Sequence, residues 1–344
     1  MPLRSRVWTI PCALALGIAL IGAPAAAQEA GDKSPLVTAD TPVPFGFNYG
    51  EVETTRALAL GGALRAAGNG TTSPFMNPAN MALSRVYHIE ALATMVPEFG
   101  RQVYGGVIVD SITNRLAGGI AVTGGFLDLG DAATSLDRAW IDVRLAVACP
   151  IADVFNIGLG GRYLKVTQDG LGPLGDSKAS GGLKDPEGDG RLSIINLPTF
   201  DAGVSMKIAD ILVIGASGQN LTFPDNGAMP TTVGGGIAVA THDFTIEADG
   251  NADFNSYDSP TARVMAGGEY LLLDHVPLRL GYRYDQGADS HAVSGGVGYI
   301  ASEFMIEASV RRTIVGPEAT TMVFQVGYFL ESSGLTASPD EPAP

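Results

Sequence analysis

The segment Thr320-Thr321-Met322-Val323-Phe324-Gln325-Val326-Gly327-Tyr328-Phe329-Leu330 sets Met322, Phe324, Val326, Tyr328 and Leu330 at every second position. Successive side chains of a strand point to opposite faces, so these five share one face of an extended segment. The same period recurs on working back along the chain. Over 302–312, Phe304, Ile306, Ala308 and Val310 oppose Glu303, Glu307, Ser309 and Arg311. Over 277–285, Leu278, Leu280, Tyr282 and Tyr284 oppose Arg279 and Arg283; over 139–149, Ile141, Val143, Leu145 and Val147 oppose Asp142 and Arg144. About fourteen such segments lie between Val86 and Leu330, at 86–96, 102–111, 115–125, 139–149, 153–167, 197–207, 210–220, 231–240, 242–252, 261–272, 277–285, 290–300, 302–312 and 320–330. Val, Ile, Tyr and Phe fill them and turn residues separate most of them. No helical stretch long enough for a crossover intervenes, so neighbours are expected to pair antiparallel, in up-and-down order.

Alternation alone admits two solvents for the apolar face. A soluble barrel turns that face inward, whereas a membrane barrel turns it to lipid and keeps the polar face for its lumen. The N-terminus favours the second. Arg4 and Arg6 precede an apolar run from Ala13 to Ala23, and Ala25-Ala26-Ala27 supplies the small residues of a cleavage site. This reads as a signal peptide ending at 27, with Gln28 the first mature residue. The apolar run is shorter than the roughly 20 residues of a spanning helix. Strands of about ten residues are, by contrast, long enough to cross a bilayer when tilted, and open sheet edges do not survive in lipid. The expected fold class is therefore all-β, a closed antiparallel transmembrane β-barrel of about 14 strands in a Gram-negative-type outer membrane.

Four regions follow: a signal peptide at 1–27, an N-terminal segment at 28–85, the barrel at 86–330, and a polar tail at 331–344 that reads as disordered. Within the second region, residues 55–67 predict a helix, and a short helical turn is expected after Asn77-Pro78, because Pro suits the first helical position. Such a segment would sit in the lumen as a plug. The longest interruption of the strand pattern, 168–194, is rich in Gly and Asp and reads as an extended loop.

Charge and composition exclude several classes. The chain carries a net charge of −15, and removing 1–27 takes away Arg4 and Arg6 but no acid, leaving −17. Clustered Lys and Arg are absent, so nucleic acid is not an expected partner. Glycine is frequent, 45 of 344 residues, and falls in pairs inside the apolar runs, where it permits curvature and leaves room for whatever fills a barrel. His88, His242, His275 and His291 show no metal-ligand spacing. Asp185, Glu187 and Asp189 lack the ordered ligand set of a calcium loop. No Ser–His pair or phosphate-cradling loop stands out. No enzyme activity, metal or cofactor is expected.

The residues opposite the apolar faces are the candidate lumen set: His88, Glu90, Asp142, Arg144, Arg162, Glu247, Asp249, Glu269, Arg279, Arg283, Glu307 and Arg311. They either cross-link a polar interior or line a conduit. In the plug, Leu58, Leu60, Gly61, Gly62, Asn77, Pro78 and Ala79 are the candidate path residues.

Three stretches carry a family resemblance. Arg56-Ala57-Leu58-Ala59-Leu60-Gly61-Gly62-Ala63, followed by Asn77-Pro78-Ala79-Asn80-Met81-Ala82, resembles the N-terminal plug signature of FadL-type and PorV-type outer-membrane proteins. Phe200-Asp201-Ala202-Gly203-Val204, leading to Gly215-Ala216-Ser217-Gly218-Gln219-Asn220-Leu221, is similar to paired strands of the PorV-like branch. Gly267-Gly268-Glu269-Tyr270 and Leu280-Gly281-Tyr282-Arg283 match its later strands. The mature chain is shorter than a typical fatty-acid transporter of this type, and residues 331–344 follow the final strand. The FadL resemblance implies passive transport of small hydrophobic ligands past a luminal hatch. The PorV resemblance implies an alternative, a scaffold for exported or periplasmic proteins with loop 168–194 as contact surface. In both cases the outer wall contacts outer-membrane lipid.

Overall fold

The computed structural model describes residues 53–128, 137–152, 154–169, 191–208, 211–224, 229–256, 259–316 and 318–330. The signal peptide, the tail and the bulk of loop 168–194 lie outside these residues. Seven strands come first: β1 (Tyr87–Val96), β2 (Arg101–Asp110), β3 (Ala117–Asp128), β4 (Asp137–Ala152), β5 (Phe155–Asp169), β6 (Arg191–Ile208) and β7 (Leu212–Gln219). Seven more follow: β8 (Thr232–Ala240), β9 (Phe244–Asp253), β10 (Thr261–Leu272), β11 (Val276–Asp285), β12 (Ser290–Ile300), β13 (Phe304–Val315) and β14 (Thr320–Phe329). Each pairs antiparallel with its sequence neighbours, and β1 closes on β14 from His88↔Phe329 to Met95↔Met322. The result is a closed fourteen-stranded barrel without a free edge, the condition that lipid imposes.

The period-2 pattern sets which face meets which solvent. Phe324, Val326, Tyr328, Ile306 and Leu280 all point outward, within a continuous belt of exposed aliphatic and aromatic side chains. Their strand neighbours Gln325, Glu307, Arg279 and Arg283 are buried inside. A charged interior beneath an apolar exterior is the arrangement of a transmembrane barrel. The two ends of the barrel differ. Short turns, such as 241–243, 273–275 and 301–303, lie at the end where β1 starts and β14 stops. At the other end the intervals between strands are longer, from Asp128 to Asp137, Asp169 to Arg191, Gln219 to Thr232 and Asp253 to Thr261.

The described residues preceding β1, from Glu53 onward, pack inside the barrel. Helix α1 (Thr55–Ala59) is capped by Thr54, whose side chain accepts the Ala57 amide at 3.3 Å. The helix expected over 55–67 stops at Ala59. Gly61 and Gly62 have φ of +69° and +91°, a left-handed geometry that ends a helix and that glycine adopts without steric cost. The chain then turns sharply and the segment through Ala67 packs as irregular backbone. A 3₁₀ turn at Gly70–Thr72 leads into the single-turn helix α2 (Ser73–Met76), and a second 3₁₀ turn spans Pro78–Ala82.

Candidate functional site

The interface between plug and wall is the chemically distinctive part of the molecule. Along β9 to β14 and β1 it is ionic. The Glu247 carboxylate accepts the Ala66 and Ala67 amides at 2.6 and 2.9 Å, and Asp249 accepts those of Leu64 and Arg65 at 3.1 and 2.9 Å. Thr55 donates its hydroxyl to Glu307 at 2.5 Å and its amide to Gln325 at 2.9 Å. Glu307 pairs with Arg279 at 2.8 Å, Arg279 with Glu269 at 2.5 Å, and Glu269 with Arg56 of the plug at 2.9 Å. Glu53 meets Arg311 at 2.5 Å and Arg283 at 3.4 Å. Glu90 accepts from Thr71 and from Gln325. His88 is half-buried at the rim, its ring 4.3 Å from that of Phe329.

These groups supply acceptors to a segment too irregular to satisfy its own amides. A buried backbone N–H left without a partner costs about 1–3 kcal/mol, so each carboxylate defines where a particular plug residue must lie. Buried ion pairs add little net stability over apolar packing but penalise misplacement heavily. The arrangement therefore specifies one position for the plug.

Wall glycines make room for it. A Cβ on Gly267 would lie 2.6 Å from the Leu60 carbonyl oxygen, and one on Gly296 would lie 2.7 Å from the Ala59 Cβ. Added Cβ atoms at Gly158, Gly203, Gly215 and Gly281 would collide with Ala79, Asn77, Arg65 and Gly61 respectively. The Asn77-Pro78-Ala79 turn is fixed by the Asn77 amide, which donates to the carbonyls of Arg65 (2.8 Å) and Val204 (3.1 Å) while its oxygen accepts from Ala79. Leu58 and Leu60 are fully buried, as are Pro78 and Ala79.

On β1 to β5 the lumen is different. Leu92, Val96, Val103, Val107, Val109, Ala117, Ala121, Trp140, Ala146, Ala148, Leu164 and Val166 face inward and form one apolar cluster with Phe75, Met76 and Met81 of the plug and Met229 of the β7–β8 loop. It extends from Val96, Val103 and Val166 at the long-loop end to Val109, Ala117 and Ala148 at the short-turn end. Thr94 and Thr123 are also buried on this inner face, and one charged cluster interrupts it. Asp142 pairs with Arg144 (3.1 Å) and Arg162 (2.8 Å), Arg162 reaches Asn220 at 3.0 Å, and the Arg144 guanidinium lies 5.2 Å from the centre of the Phe75 ring.

All twelve lumen candidates lie on the inner face or its rim. The structure joins Glu269, Arg279 and Glu307 in one network, Arg283 and Arg311 through Glu53, and Asp142, Arg144 and Arg162 in another. Sequence reasoning missed Thr55 and Gln325, which meet across 270 residues, and Asn220, which accepts from Arg162 while its own backbone amide donates to Asp201 at 2.7 Å. It also missed the apolar inner wall. The signal was present on β2, where Val103, Val107 and Val109 alternate with outward Tyr104 and Ile108, so that both faces are apolar. Outside the lumen, the turns before β9 and β11 bring His242, Asp243 and Asp274 together, all exposed.

No protein-family model matches the sequence, and no curated protein matches it either. Solved structures do match in fold. The toluene transporter TbuX of Ralstonia pickettii is similar at a TM-score of 0.59 and 12% identity, over 82% of this chain and 99% of that one. The Pseudomonas putida toluene transporter TodX is similar at 0.59 and 13%, over 83% and 99%. A Pseudomonas aeruginosa FadL homologue is similar at 0.57 and 15%, over 80% and 97%. The chain thus has the fold of FadL-type channels: a closed fourteen-stranded transmembrane barrel.

Proposed function

We propose that this protein is an outer-membrane channel for the passive entry of small hydrophobic compounds, exported by a signal peptide removed after residue 27. The observation that carries the reading is the apolar cluster on β1 to β5, which extends from one end of the lumen to the other beside the plug. A membrane barrel needs polar lumen walls for ions or sugars. An apolar lane has no such use, and it is suited to a ligand that water solvates poorly. Longer loops mark the outer side of such barrels, so Val96, Val103 and Val166 would form the entrance. The similar folds are those of channels named for toluene and monoaromatic hydrocarbons, which gives the ligand class to try first.

The test is uptake by cells lacking their own hydrophobic-compound channels. Expression of the chain should raise the initial rate for a radiolabelled monoaromatic hydrocarbon above the vector control, with no gain for glucose. Deleting residues 50–82 should leave a heat-modifiable barrel that admits both. Equal rates with and without the intact protein would overturn the reading. Mass determination of the purified protein should show Gln28 at its N-terminus.

A further inference from the structure

We infer that Phe75 is the gate of the apolar lane, closed by stacking of its ring on the Arg144 guanidinium; this rests on the transport reading above. Phe75 is the only aromatic residue of the plug among residues 53–85. It lies where the lane meets its polar interruption, buried among the inward side chains of the wall. The Arg144 guanidinium and the backbone that carries the ring are both fixed. Arg144 is held by Asp142 through Nε (3.3 Å) and Nη2 (3.1 Å), and Asp142 is held in turn by Arg162. The backbone of α2 is held from the other side. Gln219 donates to the Phe75 carbonyl at 2.6 Å, and Ser217 donates to that of Met76 at 2.9 Å.

The side chain is therefore the element free to turn. No hydrogen bond restrains the ring, only apolar contact and the cation–π stack. Its partners in the cluster include Met76, Met81 and Met229, unbranched side chains that change shape readily and can give up space to a turning ring. The plug need not leave the barrel for the lane to open. An arriving ligand with an aromatic ring can take over the Arg144 face as Phe75 swings away, exchanging one stack for another. A saturated ring of the same bulk displaces Phe75 and leaves the guanidinium face without a π partner. The gate consequently discriminates aromatic from alicyclic compounds.

The experiment compares wild type with Phe75→Ala and Phe75→Leu, using toluene and methylcyclohexane as probes. In cells, Phe75→Ala should raise toluene uptake at least threefold over wild type. With purified full-length protein in detergent, Phe75→Ala should bind toluene about three- to tenfold more tightly than methylcyclohexane, read as the concentration that gives half-maximal thermal stabilisation. Phe75→Leu keeps apolar volume without a ring and should show the same preference, which preserves the test if the alanine variant fails to fold. A folded variant with wild-type uptake, or one that binds both probes equally, overturns the gate. Wild-type uptake no greater than the vector control, with toluene-selective binding intact in the variants, counts against the transport reading and leaves the stack standing.

Discussion

Glu247 of β9 and Ala66 of the plug are joined by a 2.6 Å hydrogen bond from the Ala66 amide, and the second carboxylate oxygen takes the Ala67 amide at 2.9 Å. One side chain thus satisfies two consecutive backbone donors in a turn that cannot satisfy them itself. In Glu247→Gln, the terminal NH₂ replaces one acceptor and sets a donor against a donor. The loss should be about 1–3 kcal/mol, the cost of an unsatisfied buried group. Hydrogen exchange should accelerate at the amides of 64–67, while the strand amides of β9 remain protected. Unchanged exchange at 66 and 67 would show that the clamp does not hold the plug.

The wall glycines offer a matched comparison. A methyl group at Gly281 would run into the backbone of Ala59 to Gly61, whereas one at Gly161 would meet nothing within 4 Å. Gly281→Ala should therefore destabilise by about 1–3 kcal/mol through overpacking. Gly161→Ala should be neutral, or stabilise by up to about 1 kcal/mol through loss of unfolded-state freedom. Urea unfolding of protein refolded into vesicles measures both. Equal effects would mean that the plug does not lie against β11.

These contacts show what was legible beforehand. The fourteen strands were, because period-2 alternation survives wherever the outer face meets lipid and the inner face meets polar groups, as at Ile306/Glu307 and Leu280/Arg279. The end of α1 was less so, since Leu58, Ala59, Gly62 and Ala66 fit helical spacing even though Gly61 and Gly62 break the helix. The ionic network was visible as a set of residues but not as pairs. Arg56 pairs with Glu269 across 213 residues of sequence and Thr55 with Gln325 across 270, separations that no local pattern encodes. The apolar lane was hidden for a different reason. Where lipid lies on one side of a strand and an apolar plug on the other, alternation vanishes; the run over Val103–Val109 marks both faces as apolar without saying which of them is inward.

The inside–outside assignment can be measured on β14. Val326 is 52% exposed on the outer wall, while Gln325 is 3% exposed and holds Thr55. Val326→Arg should cost roughly 2–4 kcal/mol if the site lies near the bilayer midplane. Gln325→Arg should also be costly, by a different route, because it crowds the lumen and removes the acceptor of the Thr55 amide. The two separate by readout. Val326→Arg should lower the refolding yield into vesicles, whereas Gln325→Arg should fold and expose the plug to added protease. Refolding of Val326→Arg at wild-type yield would contradict a lipid-facing β14.

Asn77 gives the sharpest test of how the far end of the plug is set. Its amide donates to the Arg65 and Val204 carbonyls and its oxygen accepts from Ala79, so one side chain ties plug to plug and plug to β6. Gly203 opposite leaves the space it occupies. Asn77→Ala removes all three bonds and leaves buried carbonyls without that donor, for about 1–3 kcal/mol. Asn77→Asp keeps the shape but faces two carbonyl oxygens with a carboxylate oxygen, replacing attraction with repulsion in a buried site. Stability and plug protection from protease should therefore fall in the order wild type, Asn77→Ala, Asn77→Asp, although aspartate is nearly isosteric with asparagine. If shape alone mattered, Asn77→Asp would be the milder change. That reversed order would remove the hydrogen-bond account of the turn.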